Sequence, residues 1–335
     1  MMDWTDRHCR FFHRLLAPDA LLYTEMITAR AIIGGDPERL LGHAPAEQPL
    51  ALQLGGAVPE ELGRASWIAA AWGFAEINLN VGCPSPRVSA ADFGAALMKD
   101  PGLVRACLQA MRAEVAVPVT VKHRIGVDEL DDYDFLCRFV AEVATAGVST
   151  VIVHARKALL SGLSPKENRS IPPLIYERVY RLKRDFPELT VVLNGGVDSL
   201  TACQAHLEHV DGVMLGRKAY EDPWLLTSLQ TVLLNPLSGR NWQPPTRFEV
   251  VEAMADYAAA MAGTGVRSRH ISRHMLGLFH GLPGARAWRR WLSDPQRDRE
   301  RAGQAIRGSL QVFADKGVEA NSCANKFAPT AGGDL

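Results

Sequence analysis

The run AEINLNVGCPSPRV, Ala75 to Val88, decides the fold. Its first half is an apolar strand, and the strand runs out at Gly82-Cys83-Pro84, a pair of structure-breaking residues around a lone thiol. A cysteine wanted only for packing belongs deeper in the strand, where a free thiol acts as a small buried hydrophobe. Cys83 sits instead at the exit, with Asn78 and Asn80 just before it.

Six more runs repeat this design: Leu21–Thr28, Pro49–Gly56, Pro118–Gly126, Val148–Arg156, Leu189–Val197 and Asp211–Arg217. Most are rich in Val, Ile and Leu, as strands covered on both faces are. Between them lie segments such as DPGLVRACLQAMRAE and DYDFLCRFVAEVATAG, with apolar residues at helical spacing. Alternating strand and helix predicts an α/β protein with parallel strands, a TIM (β/α)8 barrel lacking one strand. Polar residues collect at the strand exits: Gln53, Asn78 and Asn80 with Cys83, Lys122 with His123, His154 with Arg156, Asn194-Gly195-Gly196, and Gly216-Arg217. In a barrel these exits share one face, the face on which active sites are built.

Beyond Trp224 the strand pattern stops. Residues 236–245, PLSGRNWQPP, read as a linker, and the rest reads as helices such as FEVVEAMADYAAAMA. The expected domains are a barrel over 1–235, an all-helical domain over 246–320, and a disordered tail over 321–335.

Composition narrows the class. The chain has 335 residues, 47% hydrophobic and 22% charged, with a formal net charge of zero. No apolar run approaches the roughly 20 residues that span a bilayer, and the start, MMDWTDRHCRFF, lacks the apolar region of a signal peptide. Six scattered cysteines form no CxxC pair, so neither a metal site nor a disulfide framework is indicated, and a reducing cytoplasm is expected. Charge is uneven all the same. Between Arg267 and Arg301 there are nine arginines against three acids. Such a stretch is either a solvated helical surface or a phosphate-backbone footprint.

The strand exits suggest chemistry. Gly195-Gly196 and Gly216-Arg217, on successive strands, suit a phosphate held by backbone N–H groups and a guanidinium fork. Lys122 can form a Schiff base, place positive charge beside an electron-accepting ring, or be a salt-bridged structural lysine. His154 is either a ligand contact or a satisfied core histidine. Cys83, at a loop entrance on the active face, can deliver a proton to carbon or attack as a nucleophile. Cys107, Cys137 and Cys203 fall in helical patterns and suit packing.

At these residues the chain resembles the tRNA-dihydrouridine synthases. INLNVGCPSPRV is similar to the family signature. MMDWTDRHCRFF, VIVHARKALLSGLSPKENRSIPPL and ISRHMLGLF with GARAWRRWL resemble the A subfamily. The resemblance covers nearly the whole chain. It implies an FMN-binding barrel, a helical tRNA-binding domain, NADPH as reductant, and reduction of uridines 20 and 20a in the tRNA D-loop. It implies Cys83 as the proton donor to uracil C5. It implies flavin contacts at Met1, Met2, Gln53, Lys122 and His154, and a phosphate cradle of Asn194, Gly195, Gly196, Gly216 and Arg217. It implies tRNA contacts at Asn80, Arg156, Lys157, Lys166, Arg273 and Arg286. A monomer without a membrane partner is expected.

Other functions share parts of this pattern. A flavin-dependent dehydrogenase acting on a free pyrimidine base would share the barrel, cradle and acid. It would leave the arginine-rich helices without a role. A tRNA-binding protein would leave Cys83 without one, and a Schiff-base aldolase would use Lys122. The family has a further barrel strand ahead of an Ala-Pro-Met-Met-Asp-like segment, and this chain starts inside that segment. The expectation is therefore a native start further upstream and two strands each short of a neighbour.

Overall fold

In the computed structural model, residues 1–85, 88, 93–299 and 302–314 are described. The expected tail and Cys323 lie outside the described residues.

Seven strands form one parallel sheet in strict chain order: β1 (Leu22–Thr28), β2 (Leu50–Gly55), β3 (Glu76–Val81), β4 (Val119–Arg124), β5 (Thr150–His154), β6 (Thr190–Asn194) and β7 (Gly212–Met214). All seven fall inside the apolar runs. The sheet is curled and TIM-barrel-like, with helices around it. The register sets the interior layers. Gln53, Asn78 and Thr120 lie side by side on β2, β3 and β4. Asn80, Lys122, Ile152 and Val192 lie side by side on β3 to β6. Among the described residues, β1 pairs only with β2 and β7 only with β6.

The crossover helices start where the sequence places caps. The Asp100 carboxylate accepts from the Leu103 amide at 3.0 Å ahead of the helix Pro101–Glu114. Asp132 accepts from Phe135 at 2.6 Å ahead of Tyr133–Thr145. Each cap satisfies an amide that the first helical turn leaves unpaired. The first helix then buries Val104, Cys107, Leu108 and Met111, one stripe at helical spacing.

The chain divides into two compact units. One comprises Met1–Arg7 and Leu21–Lys218, and holds the sheet. The other comprises His8–Ala20 and the described part of Ala219–Leu335. The barrel unit thus ends ahead of the expected residue 235, and an N-terminal helix (α1, Arg7–Leu16) packs in the helical unit. The reason is its apolar stripe. Cys9, Phe12 and Leu16 are fully buried, Phe11 stacks on Tyr257 at 4.0 Å, and His8 Nδ1 meets the Tyr257 hydroxyl at 2.8 Å. The helical core gathers Phe279, Trp288 and Phe313, with Phe279 4.7 Å from Trp288 and 4.2 Å from Phe313 between ring centres.

Candidate active site

Cys83 leaves β3 with its backbone held from three sides. Its amide and that of Gly82 donate to Asn80 Oδ1 at 3.0 and 3.1 Å. Its carbonyl accepts from the Ala95 amide at 2.9 Å. The Gly82 carbonyl accepts from Arg124 Nε at 2.9 Å. The cysteine is half-buried.

A cluster of cations surrounds it. Lys122 Nζ donates to Asn194 Oδ1 at 2.9 Å, and Asn194 Nδ2 donates to the Met214 carbonyl at 2.8 Å, which ties β4, β6 and β7 together. Burial, with Arg124 nearby, lowers the Lys122 ammonium to about 8. Arg124 also donates to the Lys157 and Asn168 carbonyls, at 3.0 and 3.1 Å. Burial lowers it to about 10. Arg156 donates to the Pro172 carbonyl, and its Nε is buried without a partner. Arg217 donates to the Arg169 carbonyl at 3.2 Å. Among the described residues, none of Arg124, Arg156, Arg169 and Arg217 makes an ion pair with a carboxylate. Four neighbouring guanidinium groups without a carboxylate partner suit an anion.

The glycine pair supplies the rest of that site. Gly195 and Gly196 have φ of 108° and 74°, a region open to glycine. A Cβ on Gly196 would stand 2.5 Å from Leu174 Cδ1 and from the Tyr176 hydroxyl. The Tyr176 hydroxyl donates to the Gly195 carbonyl at 3.0 Å. Met1 and Met2 are both exposed, and the Met1 sulfur lies 3.9 Å from where a Cβ on Gly216 would stand. His154 lies against Gly195, and its Nδ1 is buried without a partner. Desolvation, reinforced by the neighbouring Arg124, Lys122 and Arg156, holds its imidazole neutral, well below the usual histidine range.

Gln53, Asn78 and Asn80 form one hydrogen-bonded row, with Gln53 Nε2 donating to Asn78 at 2.9 Å and Asn80 Nδ2 donating to Gln53 at 2.9 Å. The other expected nucleic-acid contacts fall into two groups. Lys166 and Arg286 are exposed. Lys157 is engaged by the Asp131 carboxylate at 2.8 Å and the Asp128 carbonyl at 3.2 Å, and Arg273 Nε donates to His274 Nε2 at 3.2 Å. His123 does not join the site. It turns to the outer face of β4 and packs against Phe139, 4.9 Å between ring centres. Sequence reasoning missed Arg124, Arg169, Thr120 and Glu76. For three of them a signal existed: period two along a strand puts Glu76 in line with Asn78 and Asn80, and Thr120 and Arg124 in line with Lys122.

Comparison with known proteins shows the family. The family model described as dihydrouridine synthase (Dus) matches residues 1–314. The tRNA-dihydrouridine(20/20a) synthase of Xanthomonas campestris pv. campestris is 55% identical over 294 residues, 88% of this chain and 86% of that protein. The proteins of the same name from Shewanella oneidensis and Yersinia pestis are 54% and 53% identical, with 88% of this chain and 86% and 84% of theirs covered. A cysteine at the mouth of a parallel barrel, an anion cradle beside it and a match along almost all of the chain lead to one conclusion: this protein belongs to the dihydrouridine synthase family of enzymes.

Proposed function

We propose that this chain reduces uridine to 5,6-dihydrouridine at positions 20 and 20a of the tRNA D-loop, with FMN as its resident cofactor and NADPH as reductant. The observation that carries the reading is the convergence of the half-buried Cys83 thiol with guanidinium groups that have no carboxylate partner, on the exit face of the barrel.

The residues present fit FMN. Gly195, Gly196, Gly216 and Arg217 suit its phosphate, because backbone amides and a guanidinium fork complement phosphate oxygens. Lys122 suits the electron-rich edge of the ring, Gln53 and Met1 with Met2 its flank, and the unpartnered Nδ1 of His154 offers one more polar contact. When bound, FMN reduced by NADPH supplies the hydride, from N5 to uracil C6. Cys83 holds the matching proton at Sγ and gives it to C5 from the opposite face. A proton donor must start protonated, unlike a cysteine nucleophile. Lys122 and Arg124 put positive charge where negative charge develops on the uracil, inside a site partly shielded from water. The target base has to leave its stack to enter the barrel mouth. Arg156, Lys166 and Arg286 then hold the sugar-phosphate backbone. Lys157 and Arg273, half-buried and bonded to Asp131 and His274, are further contacts for that backbone.

The test is direct. The purified protein should carry flavin by absorbance and convert uridine in unmodified tRNA to dihydrouridine when NADPH is added, read by mass spectrometry of nuclease digests. Cells lacking it should lose dihydrouridine at positions 20 and 20a. Turnover of free uracil without tRNA, or loss at other positions only, overturns the reading.

A further inference from the structure

A line of polar side chains runs up the inside of the barrel, from the floor to the Cys83 loop. Glu76, at the start of β3, is buried, and its Oε1 accepts from the Tyr23 hydroxyl at 2.7 Å and from Thr120 Oγ1 at 2.6 Å. Thr120 in turn accepts from Asn78 Nδ2 at 2.8 Å. Asn78 Oδ1 accepts from Gln53 Nε2, Gln53 Oε1 accepts from Asn80 Nδ2, and Asn80 Oδ1 accepts from the amides of Gly82 and Cys83.

The order of donors and acceptors is forced from the bottom. Glu76 Oε1 accepts from both hydroxyls, whose bonds oppose the rise that burial gives its carboxyl, and a hydroxyl carries a single hydrogen. Thr120 gives that hydrogen to Glu76 and keeps only lone pairs for Asn78. Asn78 must then turn its NH2 to Thr120 and its oxygen to Gln53. Gln53 and Asn80 are oriented in the same way, each by the amide below it. The last oxygen meets two backbone N–H groups, one of them that of Cys83. A flip of Asn80 sets NH2 against the loop N–H groups, a flip of Asn78 or Gln53 sets NH2 against the next NH2, and either leaves buried polar groups unmatched.

We infer that Glu76, Thr120 and Asn78 are positioning residues for Cys83: the Glu76–Thr120–Asn78–Gln53–Asn80 chain fixes the Asn80 amide and so the place of the thiol over the substrate. The inference rests on the proposed uridine reduction for its kinetic consequence, and on hydrogen bonding alone for its structural one. Of the residues assigned to FMN only Gln53 lies in the row; Lys122, the glycine cradle and Arg217 lie outside it, so flavin stays bound when the row is cut at Thr120 or Asn78.

The test uses the full chain with its flavin. Thr120→Val removes the hydroxyl at nearly constant volume, and Thr120→Ser restores a hydroxyl. In Thr120→Val, amide hydrogen exchange at Gly82 and Cys83 should rise, while flavin content and NADPH oxidation hold at the wild-type level. Single-turnover reduction of tRNA uridine by the pre-reduced protein should fall about ten- to a hundredfold, the scale expected for a misplaced reacting group. Thr120→Ser should return both readouts toward wild type. Asn78→Leu cuts the row one link nearer the loop and gives the same comparison if Thr120→Val does not fold. Unchanged exchange at Gly82 and Cys83 in the Val variant, or equal rises in the Val and Ser variants, overturns the inference. A wild-type protein that fails to reduce uridine would sink the proposed function, yet the exchange comparison would still decide the role of the row.

Discussion

At the scale of single residues, the proposed reaction has two half-reactions, and the proposal gives Cys83 a part only in the second. Cys83→Ala should then keep flavin bound and NADPH oxidation intact while dihydrouridine formation is lost. Stopped-flow reduction by NADPH followed by reoxidation with tRNA measures the two steps apart, and loss of flavin from this variant would refute the assignment. Lys122 carries a second prediction. Burial lowers its ammonium from 10.5 to about 8, so the folded chain holds this proton less tightly than the unfolded chain. Below pH 8 both states are protonated and the folded state bears the cost of a buried charge. From about pH 8 to 10.5 only the unfolded state keeps the proton, so stability from this residue rises with pH across that window. Flavin-free Lys122→Met should therefore be the more stable protein at neutral pH. Wild type should close that gap by up to about 3 kcal/mol over the window, read by urea titration. A gap that does not change with pH would contradict the buried charge.

At the scale of elements, two helices show how one face folds and the other is left for work. The helix Ala285–Leu292 buries Ala285, Trp288 and Leu292 at helical spacing and leaves Arg286, Arg289 and Arg290 exposed. Arg286→Ala should weaken tRNA binding and flatten its dependence on salt by roughly 0.7 to 0.9 in the log–log slope, one phosphate contact's share. Flavin content should not change, and an unaltered slope would return this face to plain solvation. Arg273→Ala should also cost stability, because its Nε holds His274. The N-terminal helix α1 buries Phe12 completely in the helical unit. Phe12→Ala should destabilise that unit by about 3–5 kcal/mol, measured by denaturant titration of tryptophan fluorescence.

At the scale of the whole molecule, net charge is zero, so affinity for nucleic acid has to come from where arginines are placed. The barrel unit concentrates Arg124, Arg156, Arg169 and Arg217 around one exit face, and the helical unit lines one helix with three more. The sheet carries a prediction of its own. Central strands β3 to β5 have neighbours on both sides, while β1 and β7 each pair with one strand among the described residues. Backbone amides of β1 and β7 should exchange ahead of those of β3 to β5, because their openings break fewer hydrogen bonds. Uniform protection across all seven strands would show that other groups cover those edges.

The sequence by itself determined the strands, their parallel order and the residues at their exits. Apolar runs of Val, Ile and Leu between amphipathic helices admit little else, and a polar residue at the end of such a run has only the exit face to occupy. Cys83, Lys122, His154 and the glycine pair were legible for that reason. The tertiary structure decided which exits meet and what orients them. Glu76 and Thr120 are ordinary residues inside their strands. Only the register of β3 against β4 brings the hydroxyl to the carboxylate and gives the row of amides its direction. Arg124 gains its role from the curl of the sheet, which carries it to the Gly82 carbonyl and to the loop after β5. The partners of α1 were equally hidden. An amphipathic stripe states that it must be buried, and the face that buries it, more than two hundred residues away at Tyr257, exists only after the chain has folded.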